Sequence, residues 1–324
     1  MVEVSEAHHA WSGAARVVCD GDLVEERSSG FVAGPGSARC QQRTRFQAGS
    51  ISKLVLSVVV LELAQRNELH LRTPIRDWLD DAPEQWHTIT LHQLLSHTSG
   101  LGHWGDIPGL PPILSDPPPR DDLVGLIAGA ALLHSPGGGW RYSGPGFVVA
   151  ALVIEAVTHR TYGEVATELV LEPANLHATT SGAFPDSRDD VAIGHHQGQP
   201  LDVHPGFADI PGTGDLWTTT DDLVRLNQAI RAGQLIEPEA AAQLWTPHVE
   251  IGGSDDDGPI VMDAYGYGTF LGRLNGREAR INPGDNPGYQ SLLAYLPDNG
   301  VDLAVLCNED APSVNAALAD LALH

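Results

Sequence analysis

Residues 51–64, ISKLVLSVVVLELA, constrain the fold of this 324-residue chain more than any other stretch. The run is helical in length, and Leu54, Val55, Leu56, Val58, Val59, Val60, Leu61 and Leu63 leave it no polar face. A helix apolar all round belongs at the centre of a domain, covered on every side. Inside this run stands Lys53, the only lysine in the sequence; the other 17 of its 18 basic side chains are arginines. Ser50 lies three residues earlier, at the expected N-terminal end of the helix.

On a helix, positions i and i+3 share a face, about 5–6 Å apart at Cβ. A lysine one turn after a serine can take the hydroxyl proton if its own pKa is lowered. Burial among valines and leucines supplies that lowering, because desolvation disfavours the ammonium form. Arginine stays protonated at any useful pH and cannot serve. The helix N-terminus adds unpaired N–H groups and positive potential, which favour an oxyanion. Ser50 and Lys53 are therefore read as nucleophile and base rather than as helix cap and surface residue.

The rest of the chain arranges itself around this helix. Residues 14–34 predict two strands joined at Asp20–Asp22. Helical pieces are expected at 91–96, 121–133, 145–158 and 162–171, divided by Pro- and Gly-rich loops, with another at 220–232. The runs AYGYGTFLGRL, GYQSLLAYLP and VDLAVLCNE alternate and are separated by turn signals, predicting an antiparallel meander before a closing helix. The fold class is α/β in the α+β sense: an antiparallel sheet flanked by the first and last helices, with a mainly helical region inserted. The expected division is 1–69 with 206–324 as the sheet domain and 70–205 as the helical one, with the site at their interface.

Composition removes several functions. A balance of 42 acidic to 18 basic residues gives −24 at pH 7, which disfavours nucleic acid and anionic membranes as partners. No apolar stretch reaches the length of a bilayer span, and the N-terminus has no leader pattern. Cys19, Cys40 and Cys307 lack paired spacing and suit a reducing compartment, so a cytoplasmic location is expected. Fifteen histidines include the pairs His8–His9 and His195–His196 but no ligand-type spacing; no metal and no cofactor are expected.

At Ser50-x-x-Lys53 the sequence resembles the serine β-lactamase and penicillin-binding-protein superfamily, in particular its class C-like branch of esterases and D-amino-acid peptidases. LHQLLSHTSGL (91–101), SPGGGWRYSGPGFVVAALVIEAVT (135–158), GTGDLWTTTDDLVRL (212–226) and PGDNPGYQS (283–291) follow in that branch's order, so the resemblance covers about residues 12–310. It implies Ser50 as nucleophile, Lys53 as base and Tyr142 as the second-motif tyrosine that relays a proton. It implies an oxyanion hole from the backbone N–H groups of Ser50 and Asp285.

Two positions depart from the branch's pattern. Gly144 stands where an Asn amide normally binds a substrate carbonyl, and Asn282 stands where the third motif normally has Lys or His. Both changes argue against β-lactam hydrolysis and peptidoglycan carboxypeptidase activity. Pro283 has no N–H and implies an edge position on its strand. Asn282, Gly284, Gly144, His103 and Trp104 are the candidate substrate-binding positions. The expected activity is that of a serine hydrolase forming an acyl-enzyme from a small-molecule ester or amide. An acyltransferase of the same fold, or a non-catalytic binding protein that kept it, is the alternative.

Overall fold

The computed structural model describes residues 11–111, 116–181, 185, 190–201, 210–252, 258–310 and 313–321. The expected domain boundary at 205/206, the N-terminal leader reading and the His8–His9 pair lie outside the described residues.

The chain opens with a hairpin, β1 (Gly13–Cys19) and β2 (Asp22–Ser29), joined by Asp20 and Gly21. Both connecting residues have positive φ, 50° and 90°, the backbone a two-residue hairpin turn demands. A short β3 (Phe46–Gln47) leads through a 3₁₀ turn at Gly49–Ile51 into α1 (Ser52–Gln65). Then follow α2 (Leu91–Leu95), α3 (Arg120–Gly129), α4 (Gly144–Thr158) and α5 (Tyr162–Ala166), a small hairpin β4 (Gly194–His196) and β5 (Gln199–Leu201), and β6 (Trp217–Thr218). Next come α6 (Thr220–Arg231) and α7 (Pro238–Leu244). The meander comprises β7 (Val249–Glu250), β8 (Ile260–Tyr265), β9 (Phe270–Leu274), β10 (Arg277–Asn286), β11 (Tyr289–Leu296) and β12 (Val301–Cys307), and α8 (Ser313–Asp320) closes the described chain.

Two helical expectations shorten. Helix α3 stops at Gly129, and Leu133 turns away to donate its N–H to Gly100. Helix α5 is only one turn long, and Thr167–Leu171 continues as a wider π turn.

The large sheet has the order β2-β1-β12-β11-β10-β9-β8-β7, with every neighbouring pair antiparallel. The first hairpin thus docks on the last strand, and the two ends of the chain share one sheet. Helix α8 covers one face, where Val314, Ala317 and Leu318 meet Val17, Leu303 and Val305. The direct seat on the other face belongs to α6, which packs on β12, β1 and β11. Its Arg231 forks onto Asp302 of β12, with both nitrogens at 2.7 Å from the carboxylate oxygens, and Asp302 is buried. Helix α1 lies among α4, α5 and α7, buried from Ser52 to Leu63. Its apolar circumference is accounted for by that seat.

Cys19, Cys40 and Cys307 are free thiols. Among the described residues no helix is long and apolar enough to cross a membrane.

Candidate active site

The position of Ser50 follows from how α1 is entered. Gly49, at φ +53°, starts the 3₁₀ turn that carries Ser50, and Ser52 fastens this turn from both sides. The Ser52 hydroxyl donates to the Gly49 carbonyl at 2.9 Å and accepts the Leu216 N–H at 3.0 Å. Leu216 precedes β6, which pairs with β3 through Phe46↔Thr218 and Gln47↔Trp217. That pairing brings the 212–218 segment beside α1, so the Thr213 carbonyl accepts from Lys53 Nζ at 2.9 Å. Lys53 Nζ also donates to Ser50 Oγ at 3.0 Å, and its side chain is 1% exposed.

Burial lowers the Lys53 pKa from 10.5 to about 7, against the opposing pull of the buried Asp215 carboxylate. Desolvation outweighs that pull, and the carboxylate is itself hydrogen-bonded. It accepts from the Gly212 N–H at 2.8 Å and from Ser181 Oγ at 3.1 Å. Near neutral pH a large share of Lys53 is a free amine beside the serine hydroxyl.

Tyr142 meets the same serine from the other side, its hydroxyl hydrogen-bonded to Ser50. Burial pushes this phenol up to about 12, so it is neutral at working pH. Lys53 Nζ lies 5.0 Å from the centre of the Tyr142 ring, and Phe270 stacks on that ring with centroids 5.9 Å apart. The arrangement therefore splits the two groups by protonation: an amine able to accept, a phenol able to donate.

Behind Tyr142 stands His97, fully buried. Its Nδ1 accepts the Ser143 N–H at 3.1 Å, which leaves Nε2–H to face the Tyr265 hydroxyl at 3.1 Å. Its carbonyl accepts the Arg141 N–H at 3.0 Å. The two bonds clamp the segment on either side of Tyr142. Burial holds the His97 pKa well below its ordinary value, so it packs as a neutral ring.

At Gly144 the expected missing amide is explained by what occupies its place. A Cβ on Gly144 would lie 2.6–2.7 Å from three atoms of the Trp104 indole. The tryptophan fills the volume a side chain there would need. His103, next to it, accepts the Gly144 N–H through Nδ1 at 3.1 Å, so its Nε2 carries the proton. Burial lowers the His103 pKa to about 4, keeping it neutral.

The third motif lies on β10. Its pairing with β9 ends at Ile281↔Phe270, while pairing with β11 continues to Asn286↔Tyr289. At Pro283 a strand from the middle of the sheet is thus locally an edge, which accommodates a residue without an N–H. Alternation puts Pro283 and Asp285 on the cleft side and Asn282 and Gly284 on the other. Asn282 is buried, and its Nδ2 donates to the Gly268 carbonyl at 2.7 Å and Thr269 Oγ1 at 3.1 Å. Its amide ties β10 to the approach to β9 rather than lining the cleft. Gly284 is required by close approach: a Cβ would come within 2.1 Å of the Ala48 carbonyl oxygen. This contact brings β10 against the Ser50 turn, with the Asp285 nitrogen 3.2 Å from where a Cβ on Gly49 would be.

The cleft in front of Ser50 encloses about 500 Å³. Ser50, Tyr142, His103 and Asp285 supply its polar lining, and Trp140, Met262, Phe270, Ile251 and Pro283 its apolar walls. Among the described residues no group of three or more His, Cys, Asp or Glu is arranged to hold a metal. Ser50, Lys53, Tyr142, His103 and Asp285 thus converge. Gly144, Trp104 and Gly284 shape the surroundings, and Asn282 faces away.

The match to the family described as Beta-lactamase extends over residues 2–324. The chain belongs to the beta-lactamase family. It is 27% identical over 312 residues to the esterase EstB of Burkholderia gladioli, covering 84% of this chain and 78% of that protein. The penicillin-binding protein from Bacillus halodurans superposes with a TM-score of 0.81 at 25% identity, over 97% of both chains. A D-stereospecific amidohydrolase from Streptomyces superposes with a TM-score of 0.77 at 25% identity, over 96% of this chain and 94% of that one.

Sequence reasoning did not assign His97, Thr213 or Asp215. His97 lies within the recognised 91–101 segment and Thr213 and Asp215 within 212–226, so the segments carried a signal. The individual roles depend on which backbone groups those segments present to Tyr142 and Lys53, which spacing does not encode.

Proposed function

We propose that this beta-lactamase-family chain is a serine hydrolase that forms an acyl-enzyme on Ser50 from a small-molecule ester or amide. The observation that carries the reading is Lys53: nearly fully buried, its pKa lowered to about 7, and 3.0 Å from the hydroxyl it would deprotonate. Ser50 Oγ attacks the substrate carbonyl carbon, forming a C–O bond as its proton passes to Lys53 Nζ. The oxygen that becomes negative is received by the N–H groups of Ser50 and Asp285. Collapse breaks the bond to the leaving group. That group takes a proton from the neutral Tyr142 phenol, which the Lys53 ammonium re-protonates. Water then attacks the acyl carbon with the same groups in reversed order, releasing the acid and restoring Ser50. Kinship with an esterase and with an amidohydrolase supports an ester or amide as the substrate.

The test is intact-protein mass after exposure to a fluorophosphonate and to activated aryl esters, on wild type and Ser50→Ala. One adduct per chain, absent from Ser50→Ala and weakened in Lys53→Ala, supports the reading. An ester adduct that decays in water alone marks hydrolysis, and decay only with added amine marks acyl transfer. A folded wild type that takes up none of the reagents refutes it and returns the chain to the binding-protein alternative.

A further inference from the structure

Charge in the cleft is one-sided. Of the groups lining it, His103 and Tyr142 are neutral, and no arginine or lysine side chain among the described residues lines it. Asp285 is the one acid among the described residues that line it, and among those residues no cation or hydrogen-bond donor pairs with its carboxylate. Its charged neighbour is a second acid, Asp310, which accepts from the N–H groups of Gly288 at 3.0 Å and Gln197 at 2.5 Å. The third-motif position that the family resemblance associates with a cation is Asn282, whose amide is spent on Gly268 and Thr269.

The placement of Asp285 sharpens this. Its backbone N–H belongs to the proposed oxyanion hole, and its own side chain stands on the same cleft face as Pro283. A free carboxylate there opposes the negative charge that builds on the substrate oxygen. It also repels any substrate carboxylate brought to the site. A cation on the substrate cancels both effects at once, and the aromatic faces of Trp140 and Phe270 suit the methylenes or methyls around an ammonium centre.

Building on the acyl-enzyme reading, we propose that Asp285 is the specificity-determining residue of this cleft, and that it selects esters or amides carrying an ammonium group while rejecting those carrying a carboxylate. The acyl or leaving group recognised is a cationic, partly apolar small molecule. The discrimination expected from one partly exposed ion pair is about two- to fivefold over a neutral substrate, falling as salt screens it.

Three aryl esters of equal acyl length test this, ending in trimethylammonium, tert-butyl or carboxylate. In wild type at low ionic strength kcat/KM is expected to follow that order, with the cationic ester about two- to fivefold above the neutral one. At 0.5 M salt the ratio should fall towards one. Asp285→Asn keeps the backbone N–H, and its readout is the ratio of cationic to neutral ester rather than the absolute rate, with the ratio expected to fall towards one. Turnover of the neutral ester with no preference for the cationic one, or a preference that survives Asp285→Asn, overturns the specificity assignment and leaves the hydrolase reading standing. Failure of all three esters to acylate Ser50 overturns both.

Discussion

Replacing Lys53 by methionine removes the amine but keeps a side chain of similar length in an apolar seat. The native fold holds this lysine at a pKa of about 7 against an ordinary 10.5. At about 1.36 kcal/mol per tenfold in proton affinity, forcing the ammonium into the interior costs the fold about 5 kcal/mol below pH 7. The sign follows from proton counts. Between pH 7 and 10.5 the unfolded chain holds a proton at Lys53 that the folded chain has released. Wild-type stability therefore gains from this residue as pH rises through that window, and the cost is complete only below it. Lys53→Met carries no such cost but loses the hydrogen bonds to Ser50 and Thr213, worth about 1 kcal/mol each. The variant is thus expected to be more stable than wild type by about 3 kcal/mol at pH 6. By pH 9.5 only about 1 kcal/mol of the charge cost remains, and the two proteins should be near parity. Urea unfolding of both proteins at pH 6 and 9.5 measures the gap, and titrations elsewhere cancel in the comparison. A gap that stays within 1 kcal/mol across these pH values would refute the claim that burial, rather than pairing, governs this lysine. A stabilised but unreactive Lys53→Met would instead identify the base as a site where the fold is destabilised for the sake of function.

Three further outcomes follow from the same geometry. The wild-type kcat/KM for an activated ester should rise with pH through about 7 as Lys53 loses its proton, and Lys53→Arg should abolish the reaction at every pH tested; a flat profile from pH 5 to 9 would exclude Lys53 as the base. Gly144→Asn should cost about 1–3 kcal/mol by collision with the Trp104 indole, and the cost should largely vanish in a Trp104→Ala background; an additive double-mutant cycle by urea unfolding would show that the two residues do not share one volume. Arg231→Ala should cost about 3–5 kcal/mol in thermal or urea unfolding because it strands the buried Asp302 carboxylate, whereas Arg225→Ala, on the exposed side of the same helix, should cost less than 1 kcal/mol.

Much of this was legible along the chain because it depends on local pattern. Fourteen consecutive residues with no polar face can only be a central helix, and α1 is that helix. The unique lysine one turn after a serine places amine and hydroxyl on one face at any reasonable helical geometry, and they meet at 3.0 Å. The Asp20-Gly21 turn and the alternating C-terminal runs depend on backbone preference and a period of two, both readable from neighbours alone.

What spacing left open were the consequences of distant segments meeting. Whether Gly144 leaves a gap depends on Trp104, 40 residues away in sequence, whose indole the loop folds back into the space. Whether Asn282 reaches a substrate depends on strand phase: one residue decides the face of β10, and burial turns its amide towards Gly268 while Pro283 and Asp285 line the cleft. The pKa of Lys53 is a sum over everything packed around it, including Asp215 on a segment more than 150 residues further along. Residue types, helical period and turn chemistry are properties of neighbours in sequence and were determined by it. Volume, face and dielectric are properties of neighbours in space, and only the assembled fold decides them.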